Sequence, residues 1–300
     1  MTPPTIAIFS PGAMGAAVAK RLTTTSPGLT VLTDLTHRSP ASRKRAEDAG
    51  MQDASLARIV TQAAWVLSIM PPSEAEAFAK GVKAAYDETS EKRKLVFVDC
   101  NAVNPDTVKR IAGIFSGSPV AFVDAGIIGG PPSEGYDPVF YASANPQDDA
   151  VLSAFEGLGE YGLKISALRG EGAGVGDASA LKMSYAGITK GTIGLFTTMI
   201  LAAHASSPTT ATALMHELAA SQPFFLKRIT TSVPGMLPKA YRWVGEMDEI
   251  SEFVGGEQGK VHEGLARVYE RVEGSLKGDG QDVEVLKKFV EDAKKVVEGK

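Results

Sequence analysis

The stretch IAIFSPGAMGAAVAKRL, residues 6–22, decides how the chain is read. Ile6, Ala7, Ile8 and Phe9 form a short apolar run of the kind that makes a buried strand. From Ala13 to Leu22 small and apolar residues recur at helical spacing. Between the two, Gly12 and Gly15 occupy the second and third glycine positions of the spacing G-x-G-x-x-G, and Ser10 occupies the first. In such a strand–turn–helix the second glycine lets backbone approach a pyrophosphate, and the third lets helix and strand pack closely. The helix start adds free N–H groups and a positive dipole end. Pro11 fixes one backbone angle, so the chain can still turn without the first glycine. Ser10, Pro11, Gly12, Ala13, Met14 and Gly15 are therefore expected to hold a dinucleotide.

Outward from this turn, the apolar runs LTVLTDL, WVLSIM, KLVFVDC and VAFVDAG follow in order. Helical patterns separate them: one after HRSP, then DASLARIVTQA, PSEAEAFAKGVKAAYDE and NPDTVKRIAGIF. Buried strands alternating with helices predict right-handed β-α-β units and a parallel sheet. PVFYASA and LKISAL predict further strands at its far edge. Near residue 168 a glycine-rich lead-in, RGEGAGVG, runs into a long helical pattern, and only helical patterns follow. The expectation is an α/β Rossmann-type N-terminal domain over residues 1–167, a connecting helix over 168–205 and an all-α domain over 206–300.

Composition narrows the function. The net charge is −4 and no basic block stands out, which argues against nucleic acid as a partner. A single cysteine, Cys100, rules out an internal disulfide and fits a reducing compartment, so a cytoplasmic protein is expected. Cys100 itself reads as a buried, inert thiol. His37, His204, His216 and His262 lack ligand spacing, so no metal site is expected. No signal peptide pattern precedes the first strand. The most apolar run, ITKGTIGLFTTMILAAHA, contains Lys190 and two glycines and reads as a buried helix rather than a membrane span.

The second strand of such a fold ends near the adenine ribose, where an NAD enzyme places Asp or Glu. Here the tip reads THRSPASRKR, with Arg38 23 positions after Gly15 and Ser39, Arg43 and Lys44 behind it. A guanidinium pairs bidentately with phosphate, so Arg38 and Ser39 point to the 2′-phosphate of NADP, with NAD the less favoured cofactor. Asp34 is the competing residue and reads as part of the strand. Ser39 is also a candidate N-cap, with Pro40 in the first helical turn.

Five blocks in this order resemble the β-hydroxyacid dehydrogenase superfamily, which includes 3-hydroxyisobutyrate dehydrogenase and 6-phosphogluconate dehydrogenase. The opening turn resembles its GxGxMG. LSIMPPSEA is similar to its cofactor-bordering loop, which implies Met70, Pro71 and Pro72 as cofactor neighbours. VDCNAVNP resembles its VDxST loop, VDAGIIGGPP its DAPVSGG substrate loop, and GAGVGDASALKMSYAG its GxGxxxKxxxN helix. The resemblance implies hydride transfer between a nicotinamide and a carbonyl or alcohol substrate, with Lys182 as the proton donor or acceptor. It implies that Asn101, Gly126, Gly129 and Gly130 line the substrate and that the protein is a homodimer.

This chain departs from the family pattern at several places. Ile128 replaces a serine that contacts the substrate carboxylate, Gly126 stands where proline is common, and Asn101 stands where serine is usual. Ala186 replaces an asparagine four residues after Lys182. Tyr185 is a polar neighbour that could compensate, although three residues along a helix turn it about 60° away. The pocket is therefore expected to be more apolar, with a substrate bulkier or less charged than a simple hydroxy acid. Imine reductases share this architecture but usually carry Asp or Tyr at the lysine position. An imine or β-amino-acid reductase and a non-catalytic NAD(P)-binding regulator are the alternatives. In the helical part, KAYRWVGEMDEI reads either as a pocket-closing segment or as an amphipathic core helix with an acidic face.

Overall fold

The computed structural model describes residues 3–299 and divides into two compact units that part between Met183 and Ser184. In the first unit β1 (Ile6–Phe9), α1 (Ala13–Thr25), β2 (Val31–Thr33), α2 (Pro40–Asp48), β3 (Gln52–Asp53), α3 (Leu56–Gln62), β4 (Trp65–Ser68), α4 (Pro72–Glu88), β5 (Val96–Asp99), α5 (Pro105–Ile114) and β6 (Ala121–Ile128) alternate along the chain. β7 (Val139–Ser143), α6 (Asp149–Glu156) and β8 (Lys164–Ala167) complete it. The sheet order is β3-β2-β1-β4-β5-β6-β7-β8. All neighbours pair in parallel except β6 and β7, which run antiparallel in register Gly126 opposite Tyr141. The expected Rossmann-type parallel sheet is present, with PVFYASA and LKISAL at the far edge. β3 has no counterpart among the strands read from sequence, because its two exposed residues carry no apolar signal. The short α6 is likewise absent from the sequence reading.

The period-2 alternation of strand side chains loads both faces of the sheet. Ile6 and Ile8 enter one layer with Val18, Leu22, Val98 and Phe155, while Ala7 and Phe9 enter the other with Ile59, Val82, Tyr86 and Phe97. Each such fully buried large side chain contributes about 1.5–3 kcal/mol of hydrophobic stabilisation. β1 has β2 on one side and β4 on the other, so the chain reverses its direction across the sheet there. Ligands of open α/β sheets bind outside the carboxyl ends of the strands at this switch point. The ends of β1, β2, β4 and β5 thus carry the loops singled out above.

α7 (Asp177–Ser206) begins in the first unit and continues into the second. It is long and apolar enough, by length and composition alone, to cross a membrane. The second unit holds α8 (Pro208–Ser221), α9 (Pro223–Met236), α10 (Ala240–Val254), α11 (Gly256–Lys277) and α12 (Gln281–Val297), and no strand among the described residues. α10 is a core helix: Trp243, Met247 and Ile250 are buried, and the Trp243 ring meets Tyr269 of α11 edge-on at 5.2 Å. Asp248, on its polar side, pairs with Arg267 at 3.1 Å. Glu246 is the exception, a carboxylate only 5 % exposed that is paired with Lys190 and, at 3.5 Å, with Arg242.

Candidate active site

The turn after β1 is closed by the Gly12 N–H, which donates to the Ser10 carbonyl at 2.8 Å. Gly12 is the N-cap of α1 and makes no side-chain cap, and the first turn of α1 has no acidic residue. A Cβ on Gly12 would meet nothing nearer than Ser10 Oγ at 3.9 Å, so the missing side chain leaves room above the helix start. A Cβ on Gly15 would overlap the Ser10 carbonyl oxygen, so only glycine lets α1 lie this close to β1. Open space, uncapped N–H donors and a dipole end free of acidic residues suit a pyrophosphate. Ser10, Gly12, Ala13 and Met14 are at least partly solvent-accessible around that space, while Pro11 and Gly15 are buried beneath it.

At the next strand end, Ser39 caps α2 as expected, its hydroxyl accepting the Ser42 N–H at 3.2 Å. Arg38 lies beside it, half-buried. Arg43 donates to the carbonyls of Leu35 at 2.6 Å and Arg38 at 3.3 Å, which shapes this loop around Arg38. Asp34 is not part of the strand: β2 ends at Thr33, and Asp34 is the first residue beyond its tip. One of its oxygens accepts the Thr36 N–H at 2.8 Å, the short-range turn that ends the strand. Arg45 is a residue that sequence reasoning misses. Its Nε donates to the Pro11 carbonyl at 3.1 Å and ties α2 to the dinucleotide turn. A cation in a helical charge run carries no local signal of such a reach.

The β4 and β5 loops are joined by Asn101. Its Oδ1 accepts the Met70 N–H at 2.8 Å, and its Nδ2 donates to Ser68 Oγ at 2.8 Å and Asp99 at 3.0 Å. At 2 % exposure it is a brace that holds Met70, Pro71 and Pro72 in place, with its amide engaged on both sides. Pro71 is the N-cap of α4 and Pro72 its first residue. Cys100, next to it, is buried, and burial with Asp99 and Asp124 nearby pushes its thiol well above the usual range, which keeps it protonated and unreactive.

Lys182 stands early in α7, and its Nζ donates to the carbonyl of Ile127 at the end of β6. The helix reaches the strand because position 126 is glycine: a Cβ there would lie 2.9 Å from the Ala178 carbonyl and 3.1 Å from Lys182 Cβ. The start of α7 is pinned by Asp124, which is wholly buried. Asp124 Oδ2 accepts the N–H groups of Gly176 at 2.9 Å and Ser179 at 3.1 Å, and Oδ1 accepts the Ser179 hydroxyl at 2.8 Å. Ser143 of β7 donates its hydroxyl to the same carboxylate at 3.1 Å and accepts the Ala178 N–H. Burial raises the Asp124 carboxyl above its ordinary range, and these donors pull it partly back. Sequence reasoning passes over Asp124, although a carboxylate within an apolar strand run is itself a signal of a buried hydrogen-bond hub. Gly129 and Gly130 follow on the exposed loop after β6. Tyr185, three residues after Lys182 on α7, is 49 % exposed.

Residues 5–162, more than half of the chain, match the NAD binding domain of 6-phosphogluconate dehydrogenase. The chain belongs to that family. It is a member of the β-hydroxyacid dehydrogenase superfamily. Residues 205–272 match a domain of unknown function, DUF1932. No functionally curated protein matches the chain. Among solved structures it is similar to 3-hydroxyisobutyrate dehydrogenase from Salmonella typhimurium, with 16 % identity, TM-score 0.65 and coverage of 94 % of this chain and 99 % of that one. The Mycobacterium tuberculosis 3-hydroxyisobutyrate dehydrogenase, solved with L-serine, gives 15 % identity, TM-score 0.64 and coverage of 90 % and 93 %. The reductive aminase from Aspergillus terreus gives 16 % identity, TM-score 0.52 and coverage of 96 % and 100 %. These identities speak for the fold. In this family member the β1–α1 turn and Lys182 lie within one compact unit.

Proposed function

We propose that the protein is an NADP-preferring oxidoreductase that interconverts a carbonyl compound and its alcohol. The observation that carries this reading is Lys182, held against the end of β6 by the Ile127 carbonyl on a helix whose start Asp124 fixes. NADPH, when bound, would supply a hydride to the carbonyl carbon. Reduction builds negative charge on the carbonyl oxygen, and Lys182 Nζ holds the proton that this oxygen takes. In the oxidative direction the neutral amine takes the hydroxyl proton. Gly12 and the N–H groups at the start of α1 would hold the pyrophosphate, Asn101 braces Met70–Pro72 along the cofactor's side, and Arg38 with Ser39 would face the ribose phosphate. NAD is the second reading, and the place of Asp34 just past the β2 tip favours it. On α7 Ile188, Leu195 and Met199 are 72 %, 56 % and 51 % exposed and share one helical face, which supports a homodimer in which a second copy covers them.

The test is a fluorescence titration with NADPH and then NADH. Tighter NADPH binding, lost in Arg38→Ala while NADH binding is kept, is the expected result. Preference for NADH would move the specificity to Asp34, and binding of neither would overturn the reading. Lys182→Ala should keep nucleotide binding and lower turnover about 10²–10⁴-fold on any carbonyl substrate found by screening.

A further inference from the structure

The loop from Gly129 to Pro138 joins β6 to β7 and is built more firmly than its glycine and proline content suggests. Ser133 and Tyr136 exchange backbone hydrogen bonds at 2.9 and 3.1 Å around a turn with Gly135 at φ +71°. Arg21, from α1, donates to the Ser133 carbonyl at 2.7 Å and pairs with Asp137 at 2.8 Å. So anchored, Tyr136 lays its phenol back over the loop, where its oxygen accepts the Gly130 N–H at 3.1 Å. Gly129 has φ +129°, and a Cβ there would overlap the Tyr136 oxygen. A backbone conformation and a missing side chain both admit this one hydroxyl.

The capped amide is close to the chemistry. Lys182 donates to Ile127, three residues before Gly130, and three residues of chain span at most about 10 Å. Ile128, between them, has no polar side chain. A ketone or aldehyde oxygen asks for one strong donor, which Lys182 provides. A carboxylate on the same substrate would need further donors to replace its water, and the backbone N–H of Gly130 is the donor the loop would offer. Tyr136 already fills it.

We propose that Tyr136 is a specificity-determining residue: by capping the Gly130 amide it withholds an anion donor on the loop that follows the Lys182 contact, so the site takes uncharged carbonyl compounds in preference to carboxylates. This rests on the oxidoreductase reading above. Tyr136→Phe keeps the ring and removes the acceptor oxygen. The probes are acetoacetate and its methyl ester, titrated calorimetrically into wild type and variant with NADP⁺ bound. Wild type is expected to bind the ester more tightly. The variant should gain about tenfold in affinity for the carboxylate, the worth of one hydrogen bond to a charged group, with the ester unchanged. Equal carboxylate affinity in the two proteins, or no binding of either probe to nucleotide-loaded protein, would overturn the role of Tyr136 alone. Failure of both proteins to bind the nucleotide would overturn the oxidoreductase reading and this inference with it.

Discussion

Asp124 and Glu246 are both buried carboxylates, one in each compact unit, and they are held in opposite ways. Asp124 is surrounded by neutral donors: two backbone N–H groups at the start of α7 and the hydroxyls of Ser179 and Ser143. Glu246 is met by cations, Lys190 and Arg242. Lys190 also lies 5.5 Å over the Trp243 ring. Donors fixed to the backbone specify where a helix begins, and so where Lys182 falls. Cations on long side chains join elements already formed and add little geometric precision, but leave a large penalty if one partner goes. The first arrangement serves a site, and the second serves a core.

The largest effect should come from breaking the second arrangement. Glu246→Ala removes the buried carboxylate that Lys190 and Arg242 share and should destabilise the protein by about 3–5 kcal/mol in urea unfolding. The double replacement Lys190→Met with Glu246→Leu should recover most of that loss, because an apolar pair needs no desolvation of charge. A loss under about 1 kcal/mol for Glu246→Ala would show that the pair behaves as a surface ion pair, and the contrast with Asp124 would dissolve.

Asp124→Asn should be milder and differently placed. The amide keeps one acceptor oxygen and replaces the other with a donor, so the hub loses acceptor capacity for its N–H and hydroxyl partners, at about 1–3 kcal/mol. Turnover should fall as well, since the start of α7 loosens under Lys182, while the NADPH titration stays as in wild type. Equal losses in nucleotide binding and turnover would show general damage in place of a positioning role.

The smallest effect is a pH dependence that sharpens the comparison. Burial holds the folded Asp124 carboxyl above its ordinary value of 3.8. Above that value the unfolded chain gives up the proton while the folded chain keeps it. The contribution of Asp124 is therefore full below 3.8 and declines as pH rises through the raised folded value. Stability measured relative to Asp124→Asn should fall over that window. A difference that stays constant or grows with pH would mean that the donors outweigh burial.

Much of this is legible in the residues. The strand–turn–helix of residues 6–22, the alternation of apolar runs and the lysine on its glycine-led helix are local patterns, and each appears where expected. Ser39 caps its helix because a serine followed by proline does so through contacts three residues apart. Asp34 falls just outside the strand expected to hold it, because its neighbours Thr33 and Leu35 are both buried and continue the apolar pattern. Asn101 stands at the expected position, with its amide engaged by Met70, Ser68 and Asp99. Its residue type says that it will hydrogen-bond, and only the packing of β4 against β5 says with what. Arg45, Asp124 and Tyr136 escape a sequence reading because their partners lie at Pro11, Gly176–Ser179 and Gly130, and of these only the last is near in sequence.

By itself the sequence determined the elements with a strong apolar pattern, their α/β order and the family, because hydrophobic period, turn residues and short glycine motifs act over a few neighbours along the chain, whereas the exposed β3 carries no such pattern and α6 only a short one. The tertiary structure decided which polar groups are taken and which are left for a ligand. That choice depends on what burial forces together across the sheet and between helices, where an unpaired donor or carboxylate is costly and every partner is fixed by position in space rather than along the chain.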